Sequence, residues 1–210
     1  MDKTKIAVDI FNARAGDYQE KFMDVSLYHD TLTLFCNAIE KEDAQVLDLA
    51  CGPGNITKYI AGLRPQFKIL GIDLSPNMIS LAQANNPQMD FKVMDCRDIS
   101  NIGQKYNAVI AGFCLPYLDK DEMHKFIKDV YTLLEPCGVL YLSTMEDDYI
   151  KSGLRTSSKG DVMFMHYYME ADLTAALKQN NFTIMHMQRK KYTDKNNNTT
   201  IDIEIIAFKS

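Results

Sequence analysis

Close cysteine pairs, long apolar runs and an excess of positive charge are all missing from this chain of 210 residues. No apolar run is long enough to cross a bilayer, and the opening stretch MDKTKIAVDIF lacks the apolar core of a signal peptide. The formal net charge of −5 disfavours a dedicated nucleic-acid binder. We therefore expect a cytoplasmic protein with neither a membrane nor a nucleic acid among its partners.

The cysteines and histidines give no sign of a disulfide framework or a metal site. Five cysteines are an odd number, and none lies at the close spacing of zinc or redox motifs. The four histidines are scattered as well, so we predict no metal centre.

What the chain does have is an alternation of apolar strand-like runs with amphipathic segments. This pattern is typical of a parallel sheet covered by helices. A hydrophobic content of 46% over this length fits one globular domain with a full core. Five runs are predicted as strands of the sheet: AQVLDLA, FKILGIDL, MDFKVMD, YNAVIAGF and GVLYLSTM.

Helix signals lie between these runs. Ser75 followed by Pro76 predicts a helix start, because the hydroxyl can cap the helix and the missing proline N–H needs no partner there. Asp119 and Glu122 have the spacing of a capping box, and that helix is expected to end before a turn at 136–138. Apolar stripes at helical spacing support both helices that border the sheet: Ile56, Tyr59, Ile60 and Leu63, then Met123, Phe126, Ile127 and Val130.

The C-terminal part of the chain has a different character. A polar stretch, roughly 147–165, leads into a helix that carries Leu173, Ala176 and Leu177. Two strand-like runs, FTIMHMQRKKYT and TTIDIEIIAFK, then flank DKNNN. This arrangement predicts an antiparallel hairpin with an asparagine-rich turn.

A glycine turn follows the first predicted strand, in the stretch VLDLACGPGNIT at 46–57. Gly52 and Gly54 directly precede a helix, where missing side chains let the backbone approach a ligand. A dinucleotide site would need a third glycine where Thr57 stands. Asp48 would be unhelpful beside a pyrophosphate but useful beside a cation, so the stretch favours a cationic ligand.

The same stretch resembles the class I S-adenosylmethionine-dependent methyltransferases, whose first strand and loop read like hhDhxxGxG where this chain has VLDLACGPG. Asp73 at the end of the second run and MDCRD at the third extend the resemblance, which covers roughly residues 44–145. It implies a Rossmann-like α/β fold: a mostly parallel seven-stranded sheet with an antiparallel C-terminal strand and helices on both faces. It also implies an enzyme that uses S-adenosyl-L-methionine and releases S-adenosyl-L-homocysteine.

The resemblance gives roles to particular residues. The backbone of Gly52–Gly54 would lie against the methionyl part of the cofactor, and Asp48 would face its ammonium directly or through water. Asp73 would accept hydrogen bonds from both ribose hydroxyls. The cofactor-binding set expected in this way is Tyr18, Asp48, Ala50, Cys51, Gly52, Pro53, Gly54, Asp73, Leu74, Met78, Asp95, Cys96, Arg97 and Phe113.

We expect a single methyltransferase domain over residues 1–210, in four parts. These are an N-terminal helical lid at 1–42, a cofactor-binding core at 43–146, a substrate-side loop at 147–169, and a terminal helix with a β-hairpin at 170–210. Within them, Asp95 and Cys96 would lie along the adenine edge and Tyr18 would cover the cofactor.

The sequence also bears on the acceptor. Enzymes that methylate exocyclic amino groups of bases resemble one another in a [D/N/S]-P-P-[Y/F] motif after strand four, where this chain has Cys114, Leu115, Pro116 and Tyr117. The polar residue that would accept the amino hydrogens is missing. We therefore expect a small-molecule acceptor, methylated on O, N or S by in-line displacement.

Tyr117 and His166 are the candidate catalytic residues, since an acceptor with a high pKa would need a base. Tyr167 and Tyr168 are further candidates for an aromatic wall. Two other functions stay open: a non-catalytic module that binds S-adenosylmethionine as a sensor, and an NAD-dependent oxidoreductase, which Asp48 and Thr57 disfavour.

Overall fold

The computed structural model describes residues 2–157, 159–193, 197 and 199–210. The strands in these residues are β1 (Gln45–Leu49), β2 (Lys68–Asp73), β3 (Asp90–Val93), β4 (Tyr106–Gly112), β5 (Leu134–Glu146), β6 (Gly153–Thr156), β7 (Val162–Met165), β8 (Phe182–Thr193) and β9 (Thr199–Lys209). The helices are α1 (Lys3–Ala13), α2 (Ala15–Phe22), α3 (His29–Ala38), α4 (Asn55–Leu63), α5 (Pro76–Asn85), α6 (Lys120–Leu133) and α7 (Glu170–Gln179).

Seven strands form one sheet in the spatial order β3-β2-β1-β4-β5-β9-β8. All neighbours from β3 to β5 are parallel, and β9 runs antiparallel to both β5 and β8. The strand order reverses between β1 and β4, where open α/β sheets bind their ligands. The predicted fold, with a mostly parallel seven-stranded sheet and a reversed C-terminal strand, is confirmed.

Helices cover both faces of this sheet. One buried cluster joins the sheet to α6 and α7, and a second joins the opposite face to α3 and α4. The predicted stripe of α6 is buried throughout, since Met123, Phe126, Ile127 and Val130 are each no more than 2% exposed. None of the helices in the described residues has the length and apolar character that a membrane span requires.

The predicted helix starts are present as local hydrogen bonds. The Ser75 hydroxyl accepts the N–H of Met78 at 3.2 Å and so caps α5. At the start of α6, Asp119 accepts the N–H of Glu122 at 2.9 Å, and Glu122 accepts the N–H of Asp119 at 2.9 Å. Both hydrogen bonds of the capping box are therefore present, and they hold the start of α6 in place after the loop that follows β4.

Two strand boundaries differ from the prediction, and one element was missed. β3 is limited to Asp90–Val93, and β5 begins at Leu134, before the predicted turn at 136–138. Leu134 already pairs with Tyr106, so the strand begins there. The pairing between β4 and β5 then has a bulge, and the Pro-Cys-Gly sequence, with Cys137 at φ +60°, lies within the strand rather than in a separate turn. A strand with this bulge cannot be distinguished from a turn by composition alone.

The stretch predicted as a substrate-side loop contains a small hairpin. Strands β6 and β7 pair antiparallel in a separate two-stranded sheet, after a short 3₁₀ turn at Tyr149–Lys151. β6 is largely exposed, so its sequence lacks the alternation of apolar and polar residues that would have predicted a strand. At the other predicted hairpin, β8 and β9 pair as expected, while the turn DKNNN lies outside the described residues except for Asn197.

Candidate cofactor and acceptor site

Asp48 is a carboxylate inside the central strand β1. The strand lies between β2 and β4, and Asp48 is 1% exposed as a result. Its Oδ2 accepts the hydroxyl hydrogen of Thr57 at 2.6 Å. Burial raises the pKa of Asp48 to about 7, and the hydrogen bond from Thr57 opposes that rise. Thr57, which occupies the place of the third glycine of a dinucleotide site, is therefore the partner of this acid.

The glycine turn after β1 is built from left-handed backbone conformations. Ala50, Gly52 and Gly54 have φ values of +53°, +54° and +75°. A Cβ on Gly54 would lie 2.4 Å from the Asn86 amide nitrogen and 3.3 Å from Ala82 Cα, so this position needs glycine to let the turn contact α5. A Cβ on Gly52 would make only an ordinary contact of 3.7 Å with Tyr18.

Asp73 ends β2 at the mouth of this turn. Its Oδ2 accepts the N–H of Gly52 at 3.0 Å, and its Oδ1 accepts the N–H of Ser75 at 2.8 Å. Burial raises the pKa of Asp73, against these backbone hydrogen bonds. A carboxylate has about four lone-pair positions, so these backbone bonds leave Asp73 free to accept from a hydroxyl group of a ligand.

An ion-pair network closes the end of the site beyond β3. Arg97 Nη2 lies 2.7 Å from Asp95 Oδ2 and 3.1 Å from Asp2 Oδ2, and Arg97 Nη1 lies 3.2 Å from Glu122. The network joins the first residues of the chain, the turn after β3 and the start of α6. Hydrogen bonds to Asp95 first, then to Asp2 and Glu122, raise the pKa of Arg97.

Helices α1 and α2, residues 3–22, form a roof over the strand ends. The Asn12 side-chain oxygen accepts hydrogen bonds from the Ser75 hydroxyl at 2.9 Å and from the Asn77 N–H at 3.0 Å. At the other end of α1, the Thr4 hydroxyl donates to the backbone oxygen of Tyr117 at 2.8 Å. The roof is thus held at both ends of α1.

Aromatic rings line the underside of this roof and the loop after β4. The Phe11 ring meets those of Tyr18 and Tyr117 edge to face, with centroids 5.6 and 5.1 Å apart. Burial, with a smaller contribution from the charge of Asp73, raises the pKa of Tyr18 to about 12. Phe113 has φ +55° and packs on Tyr28 with ring centroids 5.4 Å apart. The rings of Phe11, Tyr18, Phe113 and Tyr117 line the same cavity as Asp73.

A cavity lies between the roof and the strand ends. The expected site residues that line it are Tyr18, Ala50, Gly52, Asp73, Leu74, Met78, Asp95, Cys96, Phe113 and Tyr117. The expected residues outside its lining are Asp48, Cys51, Pro53, Gly54, Arg97 and His166. Asp48 and Gly54 instead bond to residues that flank the glycine turn, Thr57 and Asn86. Arg97 pairs with Asp95, which does line the cavity.

His166 is separated from the cavity by the loop after β4. Its backbone N–H donates to the oxygen of Pro116 at 2.8 Å, and its ring lines a different groove. Tyr168 is fully buried in the core, where its hydroxyl donates to Leu118 O at 2.6 Å. Arg155 donates to the hydroxyl of Tyr167 at 3.2 Å. The structure does not bring His166 together with Tyr117 in one cavity.

The first turns of α1 contribute cavity residues that sequence reasoning missed. Thr4, Ala7, Val8 and Phe11 all line the cavity, as do Met94, Gly112, Cys114 and Leu118. The α1 residues follow the spacing i, i+3, i+4, i+7, which is the pattern of one helix face. That pattern was available in TKIAVDIF, but it does not say whether a face covers a core or a ligand.

Charge makes the site suited to a ligand with a cationic group and hydroxyl groups. The carboxyl groups of the buried Asp48 and the partly buried Asp73 lie close enough for the charge of Asp73 to add to the rise in the pKa of Asp48. Across the described ranges, neither forms an ion pair with a basic side chain. Buried charges usually need a partner, so these acids fit a cation that arrives with a ligand. No group of three or more metal-binding side chains occurs in the same residues.

Comparisons with known proteins agree with this geometry. Residues 46–138 match the model of a family described as a methyltransferase domain. A protein of Invertebrate iridescent virus 6 is 44% identical over 73 residues, which are 35% of this chain and 27% of that protein. Trans-aconitate 2-methyltransferase of Variovorax paradoxus is 33% identical over 99 residues, or 47% of this chain and 38% of that enzyme.

The overall shape has solved counterparts. The magnesium protoporphyrin IX methyltransferase of Synechocystis, solved with S-adenosylhomocysteine, superposes with a TM-score of 0.73 at 18% identity and covers 100% of both chains. At this identity the match concerns the fold. The chain spans less than half the length of the curated relatives it matches.

Proposed function

We propose that the protein is a class I methyltransferase that transfers a methyl group from S-adenosyl-L-methionine to a small molecule. Residues 46–138 match the model of a methyltransferase domain, and the fold is shared with a methyltransferase solved with S-adenosylhomocysteine. The observation that carries the proposal is the pair of carboxyl groups beside the glycine turn, the buried Asp48 and the partly buried Asp73, without a basic partner in the described residues. An ammonium and a ribose diol are the groups that such a pair would bind.

The residues divide the cofactor between them. Asp73 would accept the ribose hydroxyls with the lone pairs that Gly52 and Ser75 leave free. The negative charge of Asp48 would stabilise the positive charge of the methionyl ammonium across the glycine turn. Asp95 and Cys96, which line the cavity beyond Asp73, would lie along the adenine.

When bound, the cofactor supplies a methyl group on a positively charged sulfur. The protein then has to align the acceptor with that group and keep water out, and positioning alone can supply a large part of such a rate enhancement. The rings of Phe11, Tyr18 and Tyr117 enclose the cavity from above, and Phe113 forms its wall at β4. We propose that Tyr117 and Phe113 contact the acceptor. His166 has no role in the cavity.

A small acceptor is supported by the enclosed shape of the site. The cavity lies beneath α1 and α2, which contribute Thr4, Ala7, Val8, Phe11 and Tyr18 to its lining. The names of the relatives point the same way, since one acts on trans-aconitate and a structural counterpart on magnesium protoporphyrin IX. We keep cytoplasmic location and the absence of nucleic-acid and membrane partners as parts of the proposal.

Calorimetric titration with S-adenosylmethionine, S-adenosylhomocysteine and NAD tests the cofactor assignment. We expect micromolar binding of the first two and a loss of about 100-fold in Asp73→Ala, because two hydrogen bonds to a charged acceptor are removed. Asp98→Ala, which removes an exposed acid in the turn after β3, is the matched control and should bind normally. Binding of NAD alone would contradict the proposal.

Turnover decides between an enzyme and a sensor. A panel of small carboxylic acids, phenols, amines and thiols is incubated with labelled S-adenosylmethionine, and label transfer is measured. Methylation of any member that is lost in Asp73→Ala supports the enzyme. Tight cofactor binding without transfer to any acceptor would favour the non-catalytic module.

A further inference from the structure

The charged side chains that line the cavity all have the same sign. Among the described residues they are Asp73 and Asp95, and the lining contains no lysine, arginine or histidine. Arg97 lies outside the lining and is already paired with Asp95, Asp2 and Glu122. An acceptor that carries a carboxylate or a phosphate would therefore give up its water without gaining a basic side chain, which is strongly unfavourable.

The walls of the cavity on the side of α1 and β4 are apolar and aromatic. The rings of Phe11 and Tyr117 meet edge to face with centroids 5.1 Å apart, and Phe113 lines the cavity after β4. Helix α1 adds Ala7 and Val8 to the same lining. Burial of an apolar ring against such walls is favourable, so the lining suits an aromatic acceptor.

The tyrosines and cysteines of the lining do not serve as bases at neutral pH. Burial raises the pKa of Tyr18 and that of Cys114 to about 12 each. Burial also raises the pKa of Tyr117 and that of Cys96. All four side chains therefore keep their protons near neutral pH and can act only as hydrogen-bond partners.

The two acids of the lining are engaged elsewhere. Asp95 Oδ2 lies 2.7 Å from Arg97 Nη2, and its Oδ1 accepts the backbone N–H of Arg97 at 2.8 Å. Asp73 accepts the N–H groups of Gly52 and Ser75 and is the residue proposed to hold the ribose. Within the described lining, no free base remains for an acceptor that must first lose a proton, such as a phenol or an alkylammonium ion.

We propose, on the basis of the methyl transfer proposed above, that the acceptor is a small aromatic nitrogen base of the pyridine type, uncharged at neutral pH and methylated on its ring nitrogen. The nitrogen lone pair forms the bond to the methyl carbon, and the electron pair of the carbon–sulfur bond returns to sulfur. Positive charge passes from sulfur to nitrogen, and no proton has to move. The cationic product also suits a lining whose charged groups, Asp73 and Asp95, are both acidic.

Isoquinoline is the probe, and naphthol and naphthoate are controls of similar ring size with a hydroxyl and a carboxylate. Each is titrated by calorimetry into the full chain saturated with S-adenosylhomocysteine, and each is added to the acceptor panel with labelled S-adenosylmethionine. We expect isoquinoline to bind about tenfold more tightly than naphthoate, because only the anion is desolvated without a basic partner. We also expect label in isoquinoline and none in the two controls.

The outcomes separate the acceptor class from methyl transfer itself. Tighter binding of naphthoate, or label in naphthol or naphthoate instead of isoquinoline, would overturn the acceptor class and leave the methyltransferase standing. Binding of none of the three, or binding of isoquinoline without transfer of label, would also overturn the acceptor class. Failure of the proposed function is recognised earlier, because S-adenosylhomocysteine itself would not bind.

A cation added to the lining tests the charge argument directly. Val8→Lys should bind naphthoate about tenfold more tightly than the native chain, because the carboxylate gains a basic partner. Ala13→Lys adds the same charge to the exposed end of α1, outside the lining, and should leave the affinity for naphthoate unchanged. Urea unfolding identifies a variant that does not fold. Equal effects of the two substitutions, or no gain in folded Val8→Lys, would overturn the proposal.

Discussion

Two pairs of acidic residues with raised pKa values lie in different surroundings in the described part of the chain. Asp48 and Asp73 lie at the carboxyl ends of β1 and β2 around the cavity. Asp202 and Glu204 lie on β9, where they are 2% and 0% exposed, under the segment that leads into α3. Burial raises the pKa of all four carboxyl groups. The composition of the two pairs is alike, so their partners must explain their roles.

The first pair has local partners and the second has distant ones. Asp73 is held by backbone N–H groups of the adjoining turns, and Asp48 by Thr57, nine positions on. Glu204 accepts the hydroxyl of Tyr141 at 2.8 Å and that of Thr31 at 3.0 Å, and Asp202 accepts the hydroxyl of Tyr28 at 2.8 Å. A locally supported acid keeps lone pairs for a ligand, whereas a fully engaged acid joins parts of the fold.

Removal of Glu204 should cause the largest loss of stability. Glu204→Ala leaves the hydroxyls of Tyr141 and Thr31 without their acceptor in a buried site, while the amide of Gln188 keeps Asp30 as an acceptor. We expect the free energy of unfolding to fall by about 3 kcal/mol, from two unsatisfied buried donors. Urea unfolding measures the loss, and the Kd for S-adenosylhomocysteine of the folded protein should stay unchanged.

Glu204→Gln separates the charge from the hydrogen bonds. Burial raises the pKa of Glu204 to about 7, so between about pH 4.5 and pH 7 the native state holds a proton that the unfolded chain has lost. Stability contributed by this group is present at low pH and is lost as the pH rises through that window. The Gln variant should show a flatter profile, and an unchanged slope would contradict the assignment.

This contrast also explains how much the sequence could predict. The turn, Asp73, the cap at Ser75 and the capping box at Asp119 depend on partners within about twenty positions, and pattern and resemblance found them. The contacts of Tyr28 and Thr31 with β9 span more than 170 positions, and no local pattern indicates them. For the same reason the α1 face was missed, since a helix stripe does not identify what it covers.

A methyl group added to the glycine turn tests how much the local structure around Asp48 and Asp73 depends on glycine. Gly54→Ala places a Cβ on a residue at φ +75° and against the Asn86 amide, which donates to Gly54 O at 3.0 Å. The left-handed conformation and the clash together should cost about 2 kcal/mol. Gly62→Ala is the control, because a Cβ there, in the exposed face of α4, meets nothing within 4 Å and should stabilise the helix by about 1 kcal/mol. Equal effects in thermal unfolding would remove the special role of the turn.

A smaller effect is expected at the partner of Asp48. Thr57→Val keeps the shape of the side chain and removes the hydroxyl that donates to Asp48 Oδ2. We expect a loss of about 1 kcal/mol. The loss should grow as the pH rises through 7, because the hydrogen bond stabilises the ionised form, which lowers the pKa of Asp48. Thr57→Ser, which retains the hydroxyl, should follow the pH profile of the native chain in urea unfolding.

The smallest expected effect is the release of protons on cofactor binding, which should come from Asp48 and not from Glu204. Burial raises the pKa of both Asp48 and Glu204 to about 7, so each is roughly half protonated at pH 7. An ammonium bound at the glycine turn would lower the pKa of Asp48 and release up to about half a proton. The hydrogen-bond partners that the described residues give Glu204, namely Thr31, Tyr141 and Gln188, do not line the cavity. Calorimetry of S-adenosylhomocysteine binding at pH 7, in buffers of different ionisation enthalpy, measures that release. Asp48→Asn should abolish it and Glu204→Gln should retain it, and the reverse result would show that the acid on β9, rather than the one on β1, responds to the ligand.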